Sequence, residues 1–446
     1  MLVVAKFGGT SVGDAYAFKQ VVSIVQNNIN IRVVVLSAVS GITNKLIEIF
    51  KYPYSSRKNK CLEIILLHKN IIKQLELNHD KTYTLIQPLF DELFLISSFA
   101  ATITLLDQLL SIGERLSSII MAELLKQCEV KAIFIDARGL IITDNFFGRA
   151  TPEINEIKLK CQIKVTPLIK DYVVVTQGFI GSTIEGLTTT LGRGGSDYSA
   201  ALFAEALNAN LLEIYTDVKG VYTGDPKLIP NAQIISNLSF SMMEELSKSG
   251  AKVLHPSALS PCIRMNIPIM IKSTFVPEEG GTLIKGNDQN SEDSSVIAVT
   301  LRKGQALLTI KKTSQLILDN IFSIINRYRI NAHMMNNDEM SIKILIDITN
   351  IYPCNIRTLS HHSFLNELQC ITEVSIEENL SVLTLVGKSI NKISSSLQKI
   401  LISVDFPITI GLNELSNISL LTHDKFAQIL MQLLHNEFFE NNKYVT

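Results

Sequence analysis

Four short apolar runs in this chain stop abruptly at polar, glycine-bearing loops. They are Leu2–Ala5 before KFGGTS, Ile31–Leu36 before SAVSGITN, Tyr172–Thr176 before QGFIGS and Leu211–Tyr215 before TDVKGVYTGDP. Runs this short, with no polar alternation, read as strands buried on both faces. Helix-length patterns separate them: Ala15–Gln26, Asn44–Lys51, a long stretch over Cys61–Leu125, and Ser196–Leu207. Alternating strands and helices imply an α/β fold with a mostly parallel sheet sandwiched by helices. Such sheets bind ligands beyond the carboxyl ends of their strands, where all four loops fall.

Composition narrows the function classes. The chain has 446 residues, 46% hydrophobic and 19% charged, with a net charge of −1. That suits a globular protein of two or three domains and gives no reason to expect nucleic acid or an acidic membrane as partner. The charge-free run Leu93–Leu106 is too short to span a bilayer and reads as a core helix. MLVVAKFGG lacks the features of a signal peptide. The six cysteines are scattered, with no CxxC pair, so neither a disulfide framework nor a zinc site is expected and a cytoplasmic setting is.

Pro277–Ser295, PEEGGTLIKGNDQNSEDSS, reads as a domain boundary. A catalytic domain is expected over 1–290 and a second region over 296–446. The second region shows two similar halves, at about 300–375 and 376–446, either successive or interleaved. One runs from the strand Ala306–Lys311 through the helix Gln315–Tyr328 to the strands Ile330–Met335 and Met340–Ile346. The other runs from Leu380–Val386 through Ile390–Ile402, Phe406–Gly411 and Ile418–Thr422 to a last helix, His423–Phe439. Each resembles a ferredoxin-like βαββαβ unit, and a regulatory or oligomerising role is expected.

Several loops carry chemistry. In AKFGGTSV, Lys6 ends a strand, Gly8 and Gly9 free the backbone to approach an anion, and Thr10 and Ser11 open a helix. Taken alone, this is also an ordinary strand–turn–helix with a surface lysine. In TTTLGRGGSD, Arg193 sits among glycines and can grip a carboxylate or phosphate bidentately. Ser196 is placed to cap the next helix, and Asp197 lies in its first turn. Thr216–Lys227 is either a Pro/Gly loop with turn-forming aspartates or a nucleotide seat built from Tyr222 and charges. Glu114 in SIGERLSS reads as a helix acid paired with a nearby arginine. FGRATPE reads as a helix start with Thr151 as N-cap and Pro152 at the first helical position. Neither GxGxxG nor GxxxxGK[ST] occurs.

Together KFGGTSV, VVVLSAVSGITN, SIGERLSS, QGFIGS, TTTLGRGGSDYSAA, TDVKGVYTGDP and GAKVLHP occur in the order and spacing of aspartate kinases. The chain resembles these members of the amino acid kinase family, in particular the monofunctional, lysine-sensitive type with two C-terminal ACT domains. The resemblance implies ATP-dependent phosphorylation of the β-carboxylate of L-aspartate, the first step toward lysine, threonine and methionine. By that resemblance Lys6, Asp197 and Lys252 are catalytic. Ser37, Thr43, Glu114, Phe179, Arg193 and Ser196 line the aspartate pocket, with Arg193 on the α-carboxylate and Glu114 on the α-ammonium. Lys6, Gly8, Gly9, Thr10, Ser11, Thr216, Asp217, Tyr222, Asp225, Lys227 and Lys252 bind ATP. Mg²⁺ is carried on the ATP phosphates rather than in a protein cage. A homodimer or homotetramer through the ACT units is implied.

Two departures stand out. Relatives commonly have arginine where this chain has Lys227. The segment IKKTSQLILDNIF stands where lysine-sensitive relatives carry a glycine-containing effector loop, and no glycine occurs between Gly304 and Gly387. The second unit's matching segment, GKSINKISSS, is also short. Close backbone approach to an effector is hard to build without glycine, so weakened lysine feedback is expected. Two other readings stay open: another amino acid kinase, or an effector-binding scaffold with a decayed kinase domain.

Overall fold

The computed structural model describes residues 1–251, 253–286, 296–311, 315–328, 330, 332–337, 341–347, 363–388, 390–411 and 416–440. The chain forms two units. Unit 1 comprises Met1–Val221, Ile234–Glu244 and Lys252–Asp288, and unit 2 comprises Tyr222–Gln233, Glu245–Ala251 and Gln289–Thr446. Tyr222–Gln233 therefore groups with unit 2, although the sequence puts it within the span expected to be catalytic. The reason is local: the Val299 amide donates to the Thr223 carbonyl at 2.8 Å, and Ile229 is buried among unit 2 side chains.

The elements of unit 1 are β1 (Val3–Phe7), α1 (Ala15–Asn27), β2 (Ile31–Leu36), α2 (Ile42–Ile49), α3 (Tyr54–Gln74), α4 (His79–Ser97), α5 (Ile103–Gln127) and β3 (Ala132–Phe134). There follow α6 (Ile154–Lys164), β4 (Val173–Gln177), β5 (Ile180–Ser182), β6 (Thr188–Thr190), α7 (Gly195–Ala206) and β7 (Leu211–Thr216). Next come β8 (Asn237–Ser239), α8 (Phe240–Lys248, which runs on into unit 2), α9 (Pro256–Met265), β9 (Ile269–Ser273) and β10 (Thr282–Lys285). Eight strands form one sheet in the order β3-β4-β2-β1-β7-β9-β10-β8. β1 pairs in parallel with β2 and β7, and β10 runs antiparallel to β9. β5 and β6 form a separate antiparallel hairpin.

Of the four strands read as buried on both faces, β1 and β4 are buried at every residue, while β2 has one half-buried position and β7 two. β1 runs on to Phe7, one residue past Lys6, where the sequence motif ends the strand. α2 begins two residues earlier than expected, because Gly41 at φ 79° turns the chain into the helix. The run Leu93–Leu106 is not one core helix. α4 ends at Ser97, and Thr102 caps α5 by accepting from the Leu105 amide. The FGRATPE segment also differs. Glu153, not Thr151, is the N-cap of α6, because Thr143 and Pro152 form a β-bridge and the Thr151 amide is held by Asp144 Oδ1 at 2.9 Å. The presumed boundary beginning at Pro277 contains β10, and its residues 287–295 lie outside the described residues.

Unit 2 holds β11 (Ala298–Lys311), α10 (Gln315–Arg327), β12 (Ala332–Asn337), β13 (Ser341–Asp347), α11 (Ser363–Gln369) and β14 (Val374–Val386). After these come α12 (Ser394–Ser403), β15 (Thr409–Ile410), β16 (Asn417–His423) and α13 (Asp424–His435). Its sheet order is β12-β13-β11-β14-β16-β15. β11 and β14 are long antiparallel partners, and each serves both halves. The pairing shifts register between Arg302 and Gln305, where Gly304 takes φ 67°. Lys311–Gln305 of β11 pairs with β13, completing the first βαββαβ unit with β12 and the start of β14. The second unit, β14–α12–β15–β16–α13, takes its fourth strand from Ala298–Arg302 of β11. The two units are thus interleaved. The sequence leaves interleaving open but does not mark the segment that makes it, since its first strand there is read only from Ala306.

The described cysteines Cys61, Cys128, Cys161, Cys262 and Cys370 are free. Among the described residues no helix is long and apolar enough to cross a membrane.

His68 is fully buried in α3. Its Nδ1 lies 2.8 Å from the Ile64 carbonyl, to which it donates, and Nε2 has no partner. Burial pushes its pKa down to about 4. The unfolded chain takes a proton near 6.5 while the fold keeps this ring neutral, so stability is lost as pH falls from about 6.5 toward 4. The loss attributable to His68 is on the order of 3 kcal/mol. Urea unfolding at neutral and acid pH is expected to show a smaller acid loss for His68→Leu than for wild type.

Candidate active site

β1 ends at Lys6 and Phe7, and the chain then turns at Gly8 and Gly9. Lys6 Nζ lies 2.6 Å from Asp197 Oδ1, with side-chain exposures of 11% and 14%. Asp197 is held there by α7, whose first turn contains it. The Gly8 amide donates to the Tyr215 carbonyl at 3.1 Å, tying the turn to β7. A Cβ at Gly8 would stand 3.6 Å from Lys6 Nζ, so glycine leaves the ammonium approachable on that side. Thr10 is exposed. Ser11 faces inward: its hydroxyl lies 2.6 Å from Thr274 Oγ1 and donates to the Tyr215 carbonyl at 3.3 Å.

Three close backbone approaches shape the next wall. Gly194 takes φ 70° as the N-cap of α7, and a Cβ there would fall 2.2 Å from His255 Cβ. Gly195 lies against Phe179, its added Cβ 2.8 Å from Phe179 Cδ2, and Gly178 lies as tightly against Ser196. Ser196 is inside the first turn, not the cap expected from sequence; Gly194 takes that place and no side chain caps it. Phe179 adopts φ 69°. Its amide donates to Ser199 Oγ at 2.9 Å, and its carbonyl accepts from Leu191 at 2.9 Å. Arg193 is exposed on the same loop.

The opposite wall comes from β2, α2 and α5. The Ser37 amide donates to the Phe7 carbonyl at 3.2 Å, and its carbonyl accepts from Ser117 Oγ at 2.7 Å. Thr43 is half-buried in the first turn of α2. Glu114 is 3% exposed, and its Oε2 has no partner. The arginine expected beside it is engaged elsewhere, with Arg115 Nη1 2.8 Å from Glu92 Oε2. Burial pushes the Glu114 carboxyl up to about 8, against hydrogen bonds from backbone groups that include Ala38. A buried acid with an unmet oxygen is suited to a cationic ligand group.

Two contributors escaped the sequence reading. Asp107, fully buried on α5 two turns before Glu114, accepts from the Gly148 and Thr190 amides at 2.8 and 2.9 Å and from Thr190 Oγ1 at 2.8 Å. It fixes β6 just ahead of the glycine loop. Its only signal was an acid inside an apolar helix. His255 packs on Gly194, and its Nδ1 accepts from the Ser257 amide at 3.3 Å. Burial first, then Arg193 and Arg149, lower its pKa, opposed by Asp197. The HP pair opening α9 was its signal.

Of the expected nucleotide residues, Thr216 Oγ1 donates to Asp217 Oδ1 at 3.0 Å in unit 1. Tyr222, Asp225 and Lys227 belong to unit 2, where Asp225 Oδ1 accepts from the Lys227 amide at 2.9 Å. Lys252 lies outside the described residues.

The model of the amino acid kinase family matches residues 1–273. Lysine-sensitive aspartokinase 3 of Escherichia coli (strain K12) is 34% identical, over 98% of this chain and 99% of its own length. The aspartokinase of Chlamydia trachomatis serovar D is 32% identical over 98% of each chain. Among solved structures, E. coli aspartokinase III in complex with aspartate and ADP superposes with a TM-score of 0.88 at 34% identity, covering 99% of this chain and 100% of that one. The same enzyme with lysine and aspartate gives 0.81 at 33% identity, covering 98% and 100%. The anion-ready turn around Lys6, the glycine loop carrying Arg193 and these similarities lead to one conclusion: the chain belongs to the amino acid kinase family, among its aspartokinases.

Proposed function

We propose that the chain is an aspartate kinase, transferring the γ-phosphoryl group of ATP to the β-carboxylate of L-aspartate. The single observation that carries the reading is the buried Lys6–Asp197 pair beside a glycine turn, in a chain similar along its whole length to aspartokinases. A carboxylate with a pKa of about 3.9 is already ionised at neutral pH, so no general base is needed. A β-carboxylate oxygen bonds to the γ-phosphorus as the bond from that phosphorus to the β,γ-bridging oxygen breaks, and ADP leaves. The difficulty is the negative charge gathered between the two substrates, and positioning with electrostatic stabilisation answers it.

Lys6 neutralises the transferring group, and Asp197 holds its ammonium at the strand end. Arg193 grips the α-carboxylate, Glu114 takes the α-ammonium, and Ser37, Thr43, Phe179 and Ser196 shape the pocket between. Gly8 and Gly9 bring the backbone to the phosphates, with Thr10 and Ser11 beside them. Thr216, Asp217, Tyr222, Asp225, Lys227 and Lys252 serve the nucleotide. Among the described residues no three His, Cys, Asp or Glu side chains gather as a metal cage. Mg²⁺ would arrive on the ATP phosphates, where it would shield their charge. The free thiols suit a reducing cytoplasm, and the interleaved sheet of unit 2 suits assembly into a dimer or tetramer.

Aspartyl-hydroxamate formation with ATP and Mg²⁺ tests the assignment. Lys6→Ala is expected to lower kcat by about 10²–10³-fold, and Asp197→Asn, which only misplaces the lysine, by up to about 10²-fold. Product from glutamate or another acceptor, and none from aspartate, would overturn the substrate.

Glu114 gives a pH signature. With its carboxyl near 8 it is protonated at neutral pH and must ionise to pair with an ammonium. Aspartate binding is therefore expected to release a proton below pH 8, and KM for aspartate to fall as pH rises toward 8. Calorimetry in buffers of different ionisation enthalpy reads the proton, and Glu114→Gln is expected to abolish its release.

Lysine feedback is expected to be weak. The segment 310–322 has no glycine, and its residues 312–314 lie outside the described residues, as does 389 of the second segment. Titrating L-lysine into the hydroxamate assay is expected to leave the rate nearly unchanged, whereas strong inhibition would contradict this.

A further inference from the structure

We propose that His435, in the last turn of α13, is a positioning residue for the nucleotide: it holds the Tyr222–Lys227 loop in the shape that binds. This rests on the reading of that loop as nucleotide-binding and adds what keeps it in place.

His435 is fully buried. Its Nε2 lies 2.9 Å from Thr223 Oγ1, and its Nδ1 lies 3.4 Å from Glu440 Oε1. An ionised carboxylate only accepts, so Nδ1 carries the proton and Nε2 is left as the acceptor. The Thr223 hydroxyl supplies its single O–H to Nε2 and accepts, on a lone pair, from the Gln233 amide at 3.0 Å. The Thr223 amide in turn donates to the Gln233 carbonyl at 2.9 Å. One threonine thus closes the loop on itself and fastens it to α13. Burial lowers the His435 pKa, with Glu440 opposing, which keeps the ring in this neutral form.

The surrounding contacts reinforce the clamp. A Cβ at Gly224 would stand 3.3 Å from His435 Cδ2 and 3.6 Å from Met431 Cε, so the loop backbone rests on the ring. Ile229 is buried with Leu430, Met431 and Leu434. Asn231 Nδ2 donates to Glu440 Oε2 at 3.3 Å. Between these anchors Asp225 and Lys227 remain exposed. A loop fixed at its ends with its charges outward is preorganised for a ligand. Releasing it lowers apparent affinity by the fraction of time the binding shape is absent.

The test is steady-state kinetics on the full chain, with ATP and aspartate varied separately. Thr223→Val keeps the shape of the side chain but strands the Gln233 amide and His435 Nε2. It is expected to raise KM for ATP by about five- to thirtyfold, leaving kcat and KM for aspartate at wild-type values. His435→Leu is expected to do the same, His435→Gln to restore much of the ATP affinity through an amide that still reaches Thr223, and Thr223→Ser to behave as wild type. Tyr222→Ala separates this proposal from the reading beneath it. If Tyr222→Ala leaves KM for ATP unchanged, the loop is not a nucleotide site and the positioning role falls with it. If Tyr222→Ala raises KM for ATP while Thr223→Val does not, the loop reading stands and His435 is only structural. A loss in kcat and both KM values together, without rescue by His435→Gln, also overturns the positioning role. Should His435→Leu fail to fold, the Thr223→Val and Thr223→Ser pair decides.

Discussion

A nearly buried lysine at the end of a strand and an aspartate in the first turn of a helix stand 2.6 Å apart, and much of unit 1 serves that meeting. Taking both charges out of water is costly, and a buried pair adds little net stability. Its value lies in where it leaves the lysine. Bonded on one side to Asp197 and bordered on another by glycine, the ammonium is fixed and still approachable. The parallel sheet makes this geometry. β1 lies at the centre, with β2 on one side and β7 on the other, and the strand order reverses across it, which is where such sheets take ligands.

The charges around the pair are kept apart by different means. Glu114 takes a backbone hydrogen bond from Ala38 and keeps one oxygen unsatisfied, which costs free energy. Arg193 is carried on a loop whose path depends on Gly194 and on Asp107 holding β6. His255 leans on that loop and is disfavoured as a cation by burial and by Arg193. The raised pKa of Glu114 and the lowered pKa of His255 both follow from packing rather than from residue type.

Unit 2 obeys a different constraint. Two βαββαβ units share two long strands, so neither has a complete sheet without residues from the other. Such sharing resists separate unfolding of either half. The loop 222–233 joins the same body through Thr223, Ile229 and Asn231. The loop that carries those exposed charges is thereby tied to α13, far along the chain from Lys6.

Much was legible beforehand because it is locally encoded. Apolar run length gave β1, β2, β4 and β7 of unit 1 to within two residues, and glycine-bearing loops marked the candidate site at one sheet edge. Lys6, Arg193 and Asp197 were marked by their neighbours: glycines, a strand end, a helix start. The misses were of a different kind. Thr151 and Ser196 have good cap chemistry, yet Glu153 and Gly194 took the cap positions. Asp107 and His435 looked like ordinary helix residues. The sequence by itself determined which backbone segments form strands, helices and tight turns, since these depend on neighbours a few residues away. Only the tertiary structure decided that Lys6 meets Asp197, that Glu114 is buried without an arginine, that Ala298–Arg302 completes the second unit, and that Thr223 closes on His435. Those pairings are set by sheet order and core packing between distant segments, and no local pattern records them.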